Sequence, residues 1–395
     1  MAEGARRRGP GRRLSAAGFG TLLVHPRSWL RGDLPAGVTV AAYLVPQVMA
    51  YAAVAGLPPV TGLWAVLPPL ALYALLGTSR LLSVGPESTT ALMTATVVGP
   101  VAAGDPGRYA SLAAALAVTV GLLCLAARVV RLGFLADLLS RPVLIGYLAG
   151  VALIMAVDQL TRLTGAPVGG SAFFPQLVSF FAHLPRIHPA TVVLSAAALV
   201  FLFAAARFLP ALPGPLLAVV LATAAVVTWG LDTRYGVAVI GTVPSGLPDL
   251  AFPSLSELPR LVLPALGVLV VAYTDMILTG RAFVDHGDAG TRALDSNREF
   301  LALGVANLGA GVLHGFPVSS SASRTALAAS AGARSQAYSL VAGALVLAVL
   351  LFLSPLLGRV PAAVLGALVV YAAVRMVDLA GFRRLAAFRR RELFL

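Results

Sequence analysis

Twelve apolar runs of 13 to 23 residues, separated by loops that carry Arg, constrain this chain to a bundle of helices in a bilayer. A helical run of about 20 apolar residues matches the thickness of the hydrocarbon core. The runs are Leu34–Val54, Val60–Leu76, Ser88–Ala103, Tyr109–Val130, Pro142–Leu160, Ala190–Phe208, Pro215–Trp229, Leu261–Phe283, Phe300–Leu313, Ser319–Ala331, Ala337–Ser354 and Val360–Val374. Only 11% of the residues are charged, against about 25% in soluble domains.

The net charge is +13, and all 29 basic residues are Arg, which reads as a genome composition bias. Nucleic acid is excluded as a partner because the Arg residues lie between apolar spans rather than on one soluble face. With the N-terminus in the cytoplasm and alternating spans, 22 Arg fall inside, six outside and Arg324 within a span. That bias follows the positive-inside rule. Met1–Arg31, with seven Arg, reads as a disordered cytoplasmic tail. The first apolar run is too long for a signal-peptide core. Cys124 is the single cysteine, so no internal disulfide is possible.

An internal repeat is visible. The first and eighth runs start 227 residues apart, Pro86 and Pro317 lie 231 apart, and the fourth and eleventh runs start 228 apart. Seven spans per repeat is an odd number, so the second copy is inverted. Inverted repeats with short, broken helices in matching positions predict a transporter with its site near the midplane. The second repeat has five spans, and Arg391–Leu395 reads as the start of another. A fragment or truncated product is therefore expected. Ser171–His183 has the spacing of a helix at the outer interface, and Val237–Gly241 suits a short extracellular strand.

The third and tenth runs carry the chemistry. They open Ser83-Val84-Gly85-Pro86-Glu87-Ser88-Thr89-Thr90 and Gly315-Phe316-Pro317-Val318-Ser319-Ser320-Ser321-Ala322-Ser323-Arg324-Thr325. Each reads as an extended segment followed by a helix with hydroxyl caps. Two such N-termini facing each other offer N–H donors and positive dipole ends to an anion; broken helices with self-satisfied caps are the alternative. Gln47, beside Pro46, can donate to an oxyanion, and Tyr51 lies one turn on; helix packing would also account for both. Arg324 either adds positive field or pairs with Asp275 or Glu87. Asp275 lies mid-span with Thr279 on the same helix face. It can help hold Na⁺, take a proton, or form an ion pair with Arg324 that couples nothing. Glu87 reads best as a helix cap, with a proton carrier or a residue facing away from the site as the alternatives. His25, His183, His188, His286 and His314 lack metal-ligand spacing. With no phosphate loop, nucleophile elbow or metal cluster, an enzyme is not expected.

Pro46-Gln47 with Ala50-Tyr51, Ala55 through Trp64, Ser83 through Pro86, Asp295-Ser296 with Glu299, Asn307, and Pro317 through Thr325 together resemble the SulP family of sulfate permeases and related inorganic-anion transporters. The resemblance implies a seven-plus-seven inverted-repeat fold, with a core domain that carries the site and moves like an elevator against a gate domain. It implies anion contacts from Gln47, Tyr51, Ser88, Ser321, Ala322 and Ser323, with Arg324 nearby. Asp275 and Thr279 match the cation motif of the family's Na⁺-coupled bicarbonate carriers, whereas Ala322 stands where those carriers have a hydroxyl. Members usually show fourteen spans and most end in a STAS domain; twelve spans and no STAS domain are found here.

The expected molecule is an all-α polytopic membrane protein with an incomplete second repeat and two half-helices. Residues 1–32 form the tail, 33–139 and 259–355 the core, and 140–258 and 356–395 the gate, the last part truncated. Its expected function is secondary active transport of sulfate or bicarbonate, coupled to Na⁺ or H⁺. An uncoupled channel or exchanger, or a non-transporting remnant, are the alternatives. A nucleobase carrier is disfavoured because the tenth helix lacks an acidic residue. No cofactor is expected beyond Na⁺ as a coupling ion. The expected partners are the anion, the bilayer and, with a complete gate, a second copy of the chain. The expected location is a bacterial inner membrane.

Overall fold

The computed structural model describes residues 27–133, 149–150, 152–154, 156–169, 173–209, 214–241, 244–250, 257–284 and 294–376. Most of the expected tail, residues 142–148, 151 and 155 of the Pro142–Leu160 span, His25, His286 and the segment after Met376 lie outside these residues. The first group of elements is α1 (Arg27–Val54), α2 (Pro59–Leu76), β1 (Val84–Gly85), α3 (Ser88–Ala102) and α4 (Pro106–Val130). Next come α5 (Leu160–Thr164), α6 (Phe173–Ala182), α7 (Pro189–Phe208), α8 (Gly214–Trp229) and α9 (Leu231–Tyr235). The last group is α10 (Leu258–Val284), α11 (Ser296–Val312), β2 (Ser319–Ser320), α12 (Ala322–Ser330), α13 (Ala337–Phe352), α14 (Ser354–Leu357) and α15 (Ala362–Met376). Among the described residues, α1, α2, α4, α7 and α10 are long and apolar enough to cross a membrane, and α3, α6, α8, α13 and α15 are shorter apolar helices.

Local chemistry sets the helix starts. Pro59, Pro106 and Pro189 open α2, α4 and α7, where a missing N–H costs nothing. Asp295 caps α11 by accepting from the Asn297 and Arg298 N–H groups, both at 3.1 Å. Buried Asp33, on α1, accepts from the Arg334 N–H at 2.7 Å and the Ser335 hydroxyl at 2.6 Å, tying the first helix to the turn before α13.

The two groups of helices pack reciprocally, as inverted copies must. Helix α4 lies against α11 and α10, while α13 lies against α2 and α1. The α4–α11 crossing is close because it is made at glycine. A Cβ at Gly121 would stand 2.8 Å from the Gly304 carbonyl oxygen, and one at Gly304 would stand 3.0 Å from the Gly121 carbonyl oxygen. Small residues that let backbones approach are the usual means of helix association in lipid.

At the centre, β1 and β2 pair antiparallel, Val84 with Ser320 and Gly85 with Ser319. Unwound backbone inside a membrane protein needs partners from the protein, and Asn307 on α11 supplies them. Its Oδ1 accepts from the Val318 N–H at 3.0 Å, and its Nδ2 donates to the Val318 carbonyl at 3.1 Å. Ser319 donates its hydroxyl to the Ala272 carbonyl of α10 at 2.7 Å.

Helix α15 packs on α7, α5 and α1, and α8 packs on α1 and α7. The Val237–Gly241 segment forms a single bridge, Val239 with Pro361, rather than a longer strand. The expected interfacial helix is α6; Phe174, Val178 and Phe181 share one exposed face of it.

Candidate functional site: a cavity at two helix ends

The strand pair fixes the site. Because β1 runs into α3 and β2 into α12, their antiparallel pairing brings the N-termini of the two short helices together. The Ser321 N–H donates to the Ser83 carbonyl at 2.9 Å and extends the ladder. Thr325 locks the junction, accepting from the Ser83 N–H at 3.0 Å and donating to the Ser321 carbonyl at 2.7 Å.

A cavity of about 650 Å³ opens at these ends. On one side it is lined by Tyr43, Gln47 and Tyr51 of α1, Glu87, Ser88 and Thr89 at α3, Asp275 and Thr279 of α10, and Ser320 to Ser323. On the other stand Leu202, Ala205 and Leu209 at α7, Gly214 and Pro215 of α8, and Tyr371 and Arg375 of α15. Gln47, Tyr51, Ser88, Ser321, Ala322, Ser323, Asp275 and Thr279 are thus brought to one cavity.

Arg324 is the sequence-predicted residue that does not line it. It is fully buried behind the wall. Its Nε donates to the Ser83 hydroxyl at 3.2 Å, and its Nη1 to the Gln47 Oε1 at 3.1 Å and the Pro86 carbonyl at 2.9 Å. Nη2 is buried with no hydrogen-bond partner among the described residues. These partners are neutral, and no salt bridge joins Arg324 to Asp275 or Glu87 among the described residues. The guanidinium therefore clamps α12 to α1 and to the β1–α3 turn, and its charge acts on the cavity from behind.

The clamp also orients Gln47. With its oxygen turned to Arg324, its Nε2 donates to the Tyr51 hydroxyl at 3.0 Å and to the Tyr43 hydroxyl at 3.3 Å. The amide thus presents the two phenols to the cavity.

The two helix ends differ. Glu87 caps α3, accepting from the Thr89 N–H at 2.7 Å and from the Ser88 hydroxyl. At α12 the N-cap residue Ser321 makes no side-chain cap, and its hydroxyl lies 3.1 Å from that of Ser323. The first N–H groups of a helix lack intrahelical partners, so α12 offers the more open donors. Ser320, Tyr43, Tyr371 and Arg375 are wall residues that the sequence reading missed. The buried Ser320 hydroxyl has no hydrogen-bond partner among the described residues. Its place in a Ser run at a broken helix was the available signal.

Asp275 and Thr279 sit one turn apart on α10 at the same cavity. Their carboxylate and hydroxyl oxygens are of the hard-donor kind that a monovalent cation takes, while the Ala322 methyl adds no donor. Among the described residues no group of three or more His, Cys, Asp or Glu could hold a metal ion.

The structure superposes on SLC26A9 with a TM-score of 0.88 at 22% identity, covering 95% of this chain and 62% of that one. It also matches the transmembrane domain of a cyanobacterium bicarbonate transporter, BicA, with a TM-score of 0.82 at 23% identity, covering 94% of each. At these identities the likeness is one of fold. In sequence, a probable sulfate transporter of Mycobacterium tuberculosis is 54% identical over 373 residues, covering 94% of this chain. This chain spans 66% of that relative's length. The model of the sulfate permease family matches residues 30–395. By that match, the chain belongs to the sulfate permease family.

Proposed function

We propose that the chain is a secondary active carrier of small inorganic anions, sulfate or bicarbonate, coupled to Na⁺ or H⁺. The observation that carries this reading is the strand pair that aims two helix N-termini into one hydroxyl-lined cavity. The open end of α12, the Ser320, Ser321 and Ser323 hydroxyls and the Arg324 field favour an oxyanion. Asp275 supplies the coupling charge, either as a Na⁺ ligand with Thr279 or as a proton acceptor.

Residues 33–139 and 259–355 act as the moving core, and 140–258 with 356–395 as the gate. The cavity between the faces of α1, α3, α10 and α12 and those of α7, α8 and α15 is then the sliding boundary of an elevator. The protein works in a bacterial inner membrane with its N-terminus in the cytoplasm, and the gate carries the contacts of a homodimer.

The test is Asp275→Asn in liposomes. A coupled carrier loses gradient-driven uptake and keeps anion binding. An uncoupled channel or exchanger keeps its anion flux, and that result would overturn the coupling role.

A further inference from the structure

The cavity that is read as an anion site has two carboxyl groups and one guanidinium among its lining side chains. Its charged lining residues are Glu87, Asp275 and Arg375. Arg375 comes from α15, on the opposite face. Arg324 stands behind the wall with Nε and Nη1 committed to Ser83, Gln47 and Pro86. Glu87 is not held by a cation; it is fixed at the α3 N-terminus by the Thr89 N–H and the Ser88 hydroxyl. Among the described residues no salt bridge involves it. It therefore occupies one of the two positive helix ends as an anion tethered to the chain.

We infer that Glu87 sets the charge selectivity of the anion cavity, penalising a dianion such as sulfate twice as strongly as a monoanion such as bicarbonate. The inference rests on the anion-site reading above. Its basis is that the Coulomb energy between a fixed charge and a ligand is linear in ligand charge. A steric or structural role for Glu87 has no such dependence. Neutralising Glu87 multiplies the affinity for a monoanion by some factor and that for a dianion by about its square.

The experiment measures binding of radiolabelled sulfate, and of bicarbonate by competition, to the purified full chain in detergent. Glu87→Gln and Glu87→Ser both remove the charge while leaving a side chain that can accept from the Thr89 N–H. Glu87→Asp keeps the charge. If the neutral variants tighten bicarbonate about tenfold, sulfate tightens about a hundredfold, and Glu87→Asp changes the sulfate-to-bicarbonate ratio by less than about twofold. Equal factors for the two anions, or weaker binding of both in the neutral variants, overturn the role of Glu87 while leaving the anion site standing. Folded wild-type protein that binds neither anion overturns the anion-site reading, and this inference with it.

Discussion

Arg324 shows how one buried cation can organise a site without touching what the site holds. Replacing it with Met leaves the Gln47 oxygen, the Ser83 hydroxyl and the Pro86 carbonyl without their donor. Breaking such a buried network costs about 3 kcal/mol. Arg324→Met is therefore expected to lower the thermal unfolding midpoint in detergent and to abolish uptake; an unchanged midpoint would contradict the clamp. Arg324→Lys keeps the charge but not the fork, and should fall between. Asn307→Ala removes both bonds to the Val318 peptide, at a cost of about 1–3 kcal/mol in the same assay. The sequence singled out Gln47, Arg324 and Asn307 as marks of the family. It did not show that Gln47 faces two tyrosines, because that orientation is set by a hydrogen bond between residues 277 apart. The partners of Glu87 were nearer at hand, since a cap reads from adjacent residues.

At the scale of elements, apolar run length sufficed where a helix spends its whole length in lipid. Nine of the runs match helices α2, α3, α4, α7, α8, α10, α11, α13 and α15 within four residues at each end, and the first run ends with α1 at Val54 but starts seven residues inside it. The tenth run became a two-residue strand and a nine-residue helix, because Pro317 and the serines favour extended backbone before a capped start. Pairing of β1 with β2 was beyond the pattern: two residues of strand carry no periodicity, and their partner lies in the other repeat. The glycine crossing is the element-scale test. Gly304→Leu drives a side chain into the Gly121 carbonyl and is expected to destabilise by about 3 kcal/mol. Gly304→Ala should cost less, and a Leu variant that unfolds like the parent protein would argue against close α4–α11 contact.

Across the whole molecule, reciprocal packing of the two halves places both short helices at the centre, so the cavity lies between the moving and fixed bodies of the proposed elevator. Asp275 of α10 and Arg375 of α15 both line that cavity, the first as part of the proposed core and the second as part of the proposed gate. In the proposed elevator, net movement of an anion requires the boundary to slide while the strand pair and the Arg324 clamp stay intact. The most direct test is uptake of radiolabelled sulfate and bicarbonate into liposomes containing the full chain, with an inward Na⁺ gradient, an inward H⁺ gradient or neither. The account predicts uptake of at least one anion that rises with one of the two gradients and loses that dependence in Asp275→Asn. No uptake of either anion by folded protein, or uptake indifferent to both gradients, would contradict it.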